Sequence, residues 1–79
     1  MQVRFFAGAA EAAGTDGLDL DASGLDADQV VARLVDGRPD LARVLTMCSL
    51  LADGVRVSDG AADMSRVELL DILPPFAGG

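Results

Sequence analysis

Asp26-Ala27-Asp28-Gln29-Val30-Val31-Ala32-Arg33-Leu34-Val35-Asp36-Gly37 is the stretch on which the fold turns. Asp26 is a favoured N-cap residue. Gln29 stands three positions later, where a capping box places Glu or Gln so that each residue's side chain satisfies the other's free N–H. Ala27, Val30, Val31, Leu34 and Val35 then recur at i, i+3, i+4, i+7 and i+8. That spacing makes one apolar stripe along a helix, and the stripe needs an apolar cover. Gly37 closes the helix.

The flanks supply the cover. On the N-terminal side, Val3 to Phe6 reads as a strand, with Val3 and Phe5 on one face and Arg4 and Phe6 on the other. Ala7 to Ala13 is alanine-rich and stops at Gly14, the pattern of a short helix. Leu18-Asp19-Leu20-Asp21 alternates as a short, half-exposed strand antiparallel to the first. On the C-terminal side, a second helix carries Pro39 in its first turn. Leu41, Val44, Leu45 and Cys48 repeat the helical spacing along it. Asp53-Gly54, between the apolar runs of Leu50 to Val57, is a hairpin signal. Ser58 to Arg66 is polar loop. Val67 to Leu73 is the last strand, and its apolar phase slips at Leu69-Leu70, which implies a bulge or a late start. From there Leu70 and Ile72 share one face, and Asp71 and Leu73 the other. The order predicts an α+β domain: about five short strands wrapped around one main helix, with shorter helices beside it.

Composition narrows the chemistry. The chain has 79 residues, no His, one Cys, no Trp and no Tyr. A histidine triad, a Cys/His zinc site and an internal disulfide are therefore excluded. Thirteen acids against six Arg give a net charge of −7. The six are Arg4, Arg33, Arg38, Arg43, Arg56 and Arg66, and they form no stripe, so no nucleic-acid partner is expected. A hydrophobic fraction of 51% argues against disorder. The acids concentrate in residues 1–40, which hold eight of them. That distribution serves solubility or a basic partner surface. No apolar run approaches the roughly 18 residues that span a membrane, so no membrane association is expected. The run from Phe5 to Ala10 after Arg4 superficially resembles a signal peptide, but Glu11 ends it. A lone Cys without a secretion signal fits a cytoplasmic location.

Few side chains could carry chemistry. Cys48 lies on the apolar stripe of the second helix with no His or Lys to activate it, and reads as a core residue. Asp19/Asp21 and Asp26/Asp28 read as caps and solvated strand edges, since nothing follows a calcium-loop pattern. Gly8, Gly14 and Gly17 lack the Lys and Ser/Thr of a phosphate loop. No metal ligand set or bound cofactor is expected. The distinctive segment is the end: Leu73-Pro74-Pro75-Phe76-Ala77-Gly78-Gly79. Two prolines remove two backbone donors, so the strand stops and the chain leaves extended. Residues 74–79 can then reach about 20 Å. The side chains shrink to nothing toward Gly79, a shape suited to threading a narrow channel. The chain thus divides into a domain over residues 1–73 and a tail over 74–79.

At these residues the chain resembles the MoaD/ThiS family of ubiquitin-like sulfur carriers, its molybdopterin synthase small-subunit branch most closely. The resemblance runs from Val3-Arg4-Phe5-Phe6-Ala7, Glu11 and Gly14, through Leu45, Cys48 and Asp53-Gly54, to Asp71-Ile72-Leu73-Pro74-Pro75-Phe76-Ala77-Gly78-Gly79. It implies a β-grasp fold. It also implies that the Gly79 carboxylate is adenylated and becomes a thiocarboxylate, with no catalysis by the chain alone. The adenylation would fall to a ubiquitin-activating-type enzyme (MoeB-like) that uses ATP, and the sulfur would come from a sulfurtransferase or cysteine desulfurase. Pro74, Pro75, Phe76, Ala77 and Gly78 would thread the molybdopterin synthase large subunit (MoaE-like), where the sulfur enters a dithiolene. Two positions depart from the family pattern: Ala10, where an Arg is common, and Val67-Glu68, where a Gly-Asp turn is usual.

If Val3, Phe5, Leu70 and Ile72 face the core, Phe6 and Leu73 face outward beside the tail as an apolar docking patch. The competing arrangement puts Phe6 under the first helix or the hairpin. Three other functions remain open: a carrier for cysteine, thiamin or tungsten-cofactor synthesis, a ubiquitin-like modifier of other proteins, and an interaction domain with an inert tail.

Overall fold

The helix expected around Asp26 forms as its caps require. Asp26 Oδ1 accepts a hydrogen bond from the Gln29 backbone N–H at 2.8 Å, and Gln29 Oε1 accepts one from the Asp26 N–H at 2.9 Å. In this computed structural model, which describes residues 1–75, the helix runs Ala27–Val35 and is α2. Ala27, Val30 and Leu34 are buried along it. The expected threading residues Phe76, Ala77 and Gly78, and the reactive Gly79, lie outside the described residues.

The chain order is β1 (Gln2–Phe5), α1 (Gly8–Ala13), β2 (Gly17–Asp19), α2, α3 (Pro39–Leu45), β3 (Ser49–Ala52), β4 (Val55–Arg56) and β5 (Leu69–Leu73). The strands form one sheet in the order β2-β1-β5-β3-β4. β1 and β5 pair in parallel, with Val3 opposite Leu70 and Phe5 opposite Ile72. The other pairings are antiparallel. This mixed five-stranded sheet packed on α2 is the β-grasp architecture. Val3, Phe5, Leu70 and Ile72 line its inner face, and with Val30, Leu34, Leu41 and Leu45 they make the core.

Local signals account for the ends of the elements. Gly14 takes the left-handed conformation (φ 73°) and donates to the Ala10 carbonyl, which stops α1. Asp53 and Gly54 both have positive φ, as a tight two-residue hairpin turn requires. β5 starts late, at Leu69, so the phase slip is not a bulge.

Two elements differ from expectation. α3 ends at Leu45, and Cys48 lies in the turn after it, where its N–H donates to the Leu45 carbonyl. Residues 58–66 are more than a polar loop. They fold across the start of α2: Ala27 N–H donates to the Ala62 carbonyl, Asp28 N–H to the Gly60 carbonyl, and Met64 N–H to the Leu25 carbonyl. Together with Asp26, the loop therefore satisfies the first N–H groups of α2, which no intrahelical partner can reach. Met64 enters the core from this loop.

Asp63 and Ser65 hold the loop's far end. Ser65 Oγ donates to Asp63 Oδ1 at 2.6 Å, Ser65 N–H donates to the same oxygen, and Gly24 N–H donates to Ser65 Oγ. The Ser65 hydroxyl and then its N–H hold the Asp63 carboxyl below the usual carboxylate range. A lowered native pKa contributes stability above the unfolded value, and that contribution is lost as pH falls through the native value. Ser65→Ala is expected to raise the Asp63 pKa toward normal in a carboxyl NMR titration. It should also reduce the fall in urea midpoint between neutral and acid pH. An unchanged Asp63 titration would contradict the assignment.

Candidate functional site: the root of the C-terminal tail

The tail leaves from the middle of the sheet. β5 is flanked by β1 and β3, and Leu70 and Ile72 are fully buried beneath it. β5 ends at Leu73, directly before Pro74 and Pro75, neither of which can donate to a neighbouring strand. Pro74 is half-buried and Pro75 exposed. The tail thus starts, at Pro74, from the central strand of the sheet.

The hairpin turn secures the other end of β5. The Asp53 carboxylate accepts the N–H of Leu69 at 2.9 Å and of Glu68 at 3.2 Å, while Asp53 N–H donates to the Leu69 carbonyl at 2.8 Å. Asp53 therefore secures Glu68 and Leu69, the residue before β5 and its first residue. Its place in the hairpin turn is readable from its neighbours. Its bond to a strand fifteen residues away has no local signal.

The outer face of the sheet beside the root carries Arg4, Phe6, Asp71 and Leu73. Arg4 Nε donates to Asp71 Oδ1 at 2.6 Å and Nη2 donates to Oδ2 at 2.8 Å, a two-point contact across the parallel β1–β5 pair. The Asp71 hydrogen bonds push the Arg4 guanidinium further above its ordinary range, so it stays charged. Its Cζ lies 5.5 Å from the centre of the Phe6 ring, within cation–π range. Phe6 is thus held on the outer face under Arg4, not beneath α1 or the hairpin. Leu73 shares the face of Asp71 by strand alternation, with Ser49 opposite it. Phe6 and Leu73 are both half-buried, so a partner would cover only the remaining surface of each. Among the described residues, the large apolar side chains most open to solvent lie elsewhere, Met47 at 59% and Val55 at 70% exposure.

Cys48 directly precedes Ser49, the partner of Leu73 at the root. Its Sγ donates to the Val44 carbonyl at 3.2 Å, and burial pushes the thiol pKa up. It borders a cleft of about 220 Å³ between α2, β3 and residues 58–60, with Asp28, Arg56 and Asp59 also lining it. Ala10 is half-buried on α1. Asp19 ends β2 and Asp28 lies in the first turn of α2, and of the three only Asp26 accepts a capping hydrogen bond among the described residues. Asp21 Oδ1 accepts the Ser23 N–H, and hydrogen bonds from Ser23 lower the Asp21 pKa. Among the described residues no group of three His, Cys, Asp or Glu could hold a metal ion, and no helix is long and apolar enough to cross a membrane.

Asp53→Gly keeps the positive φ of the turn and removes the carboxylate. It should speed amide hydrogen exchange at Glu68 and Leu69 while Ile72 stays protected. Equal loss of protection at all three amides would show global destabilisation instead.

No protein-family model matches the chain, and no match to a curated protein reaches significance. Solved structures do match. The crystal structure of small archaeal modifier protein 1 from Haloferax volcanii is 25% identical with a TM-score of 0.74, covering 100% of this chain and 98% of that one. The solution structure of small archaeal modifier protein 1 from Methanosarcina acetivorans is 28% identical with a TM-score of 0.74, covering 99% of this chain and 94% of that one. The likeness spans the whole β-grasp domain.

Proposed function

We propose that this chain is a ubiquitin-like sulfur carrier whose Gly79 carboxylate is adenylated, converted to a thiocarboxylate and used for dithiolene formation as the small subunit of molybdopterin synthase. The observation that carries this reading is the root of the tail: β5, central and parallel to β1, ends at Leu73 directly before Pro74-Pro75. The sequence that follows ends in Gly78-Gly79.

The chemistry follows from the residue types. A carboxylate is a poor acyl electrophile. Adenylation gives it a leaving group, and sulfur then replaces the adenylate. Gly78 and Gly79 let an active site approach the carbonyl without meeting a Cβ. Pro74 and Pro75 stop the strand, so the residues after them are left to a partner's active site. The chain needs no catalytic side chain and no bound cofactor, because its partners supply them: a MoeB-like adenylating enzyme with ATP, a sulfurtransferase or cysteine desulfurase, and a MoaE-like large subunit. The outer-face pair Phe6 and Leu73, braced by Arg4 and Asp71, is the docking surface beside the tail.

A second reading has support in the structural neighbours, which are small archaeal modifier proteins. In it the activated Gly79 acyl group is joined to amines of other proteins. Activation is common to both readings, and the fate of the acyl group separates them.

Intact mass of the chain, incubated with its activating enzyme, ATP and a sulfur source, tests the proposal. Exchange of one oxygen for one sulfur, abolished by deleting Gly79, is expected. An unchanged mass would overturn it, and adducts on lysines of other proteins would favour the modifier. Phe6→Ala and Leu73→Ala should each weaken binding of the large subunit by roughly 1 kcal/mol, since only part of each side chain is left to cover. Thermal stability should fall less than affinity does. Equal losses in both would remove the docking role.

A further inference from the structure

An activated acyl group reacts with any amine or thiolate that reaches it, including those of the protein that carries it. This chain is short of such groups. All six basic residues are Arg and there is no His. A guanidinium stays protonated and offers no free amine. The hydroxyls of Ser and Thr have no histidine base to activate them. Two nucleophiles remain, and both are engaged. The Met1 α-amino group donates to the Leu20 carbonyl at 2.9 Å at the β1–β2 end of the sheet, and the Met1 side chain packs on the core. The Cys48 thiol is half-buried and donates to the Val44 carbonyl. Its pKa is raised by that burial, which lowers the thiolate fraction further.

The use of Arg at every basic position is not explained by packing. Arg4, Arg38 and Arg43 use their guanidinium groups in hydrogen bonds. Arg33, Arg56 and Arg66 are exposed and make no side-chain hydrogen bond among the described residues. An ammonium would serve there equally well for charge.

We infer that the chain is inert toward its own activated C-terminus, so that the Gly79 acyl group passes only to an external acceptor and copies do not join into covalent chains. This rests on the reading of Gly79 as an acyl donor. The reaction avoided is amide formation. An amine nitrogen bonds to the Gly79 carbonyl carbon, and the bond from that carbon to the adenylate oxygen, or to a thioester sulfur, breaks. The leaving group keeps the electron pair and the amine proton goes to solvent.

The test uses the full chain as a C-terminal thioester of 2-mercaptoethanesulfonate, made by thiolysis of an intein fusion, so that no activating enzyme is needed. At pH 9 roughly 4% of an exposed lysine is free amine, against less than about 0.1% of an arginine being neutral. Incubated alone at that pH, the wild-type thioester should give hydrolysed monomer without cross-linked dimer or cyclised product, and with added ethylenediamine it should give the amide. Arg33→Lys/Arg56→Lys/Arg66→Lys has the same net charge and should accumulate self-adducts that peptide mapping places on the new lysines, which wild type lacks. Circular dichroism checks that the variant is folded. Wild-type self-adducts mapped to Met1 or Cys48 would overturn the inference, as would a folded lysine variant that forms no more than wild type. Failure of enzymatic adenylation in the mass experiment would strike the carrier reading instead, and the thioester result would stand apart from it.

Discussion

The parallel pairing of β1 with β5 is the contact on which the rest of the molecule depends. It joins residues near the two ends of the sequence, Gln2–Phe5 and Leu69–Leu73, and buries Val3, Phe5, Leu70 and Ile72 in one layer. β2 attaches to the outer edge of β1, and β3 with β4 to the other side of β5. Without the central pair, the apolar stripe of α2 would face no sheet, and the segment after Leu73 would have no fixed origin. The contact is expensive in loop-closure entropy, because some sixty intervening residues must be ordered around it. Formation of such a distant pairing is expected to limit the folding rate.

Acidic residues do much of the local work in so small a domain. Asp21, Asp26, Asp53, Asp59 and Asp63 each accept a backbone N–H at a turn, a helix start or a strand start. Short elements leave many backbone donors without a regular partner, and in every case but Asp53 a carboxylate two or three residues away satisfies one with little loss of chain entropy. Asp71 serves differently, pairing with Arg4 across the central strands. The net charge of −7 therefore reflects structural use as well as solubility. A basic partner surface would meet carboxylates that are already anchored.

The outer face and the tail show how far residue order reaches toward a functional surface. Alternation put Leu70 and Ile72 inward and Asp71 and Leu73 outward, and the fold agrees. It left Phe6 with two possible positions, because a residue just past a strand end can turn either way. The Arg4–Asp71 contact decides the matter by placing a guanidinium over the Phe6 ring. Met64 and the second role of Asp53 were not legible. A single buried side chain in a polar loop has no period, and a carboxylate that bonds to a distant strand looks the same in sequence as one that only makes a turn. Cys48 reads as a helical stripe position by spacing, yet α3 stops at Leu45.

Residue order alone determined the features governed by neighbours a few positions apart. These are the capping box at Asp26 and Gln29, the glycine stop of α1, the Asp53-Gly54 turn, the end of β5 before two prolines, and a chain without lysine or histidine. Backbone hydrogen bonding and φ preference act over one or two turns of chain, so short sequence windows contain their cause. Only the tertiary structure decided that β1 lies beside β5 and runs parallel to it, and that residues 58–66 cap α2. It also decided that Arg4 braces Phe6. Each of these depends on which distant surfaces bury the most apolar area together while leaving no backbone group unpaired, and that balance is set by the whole core at once.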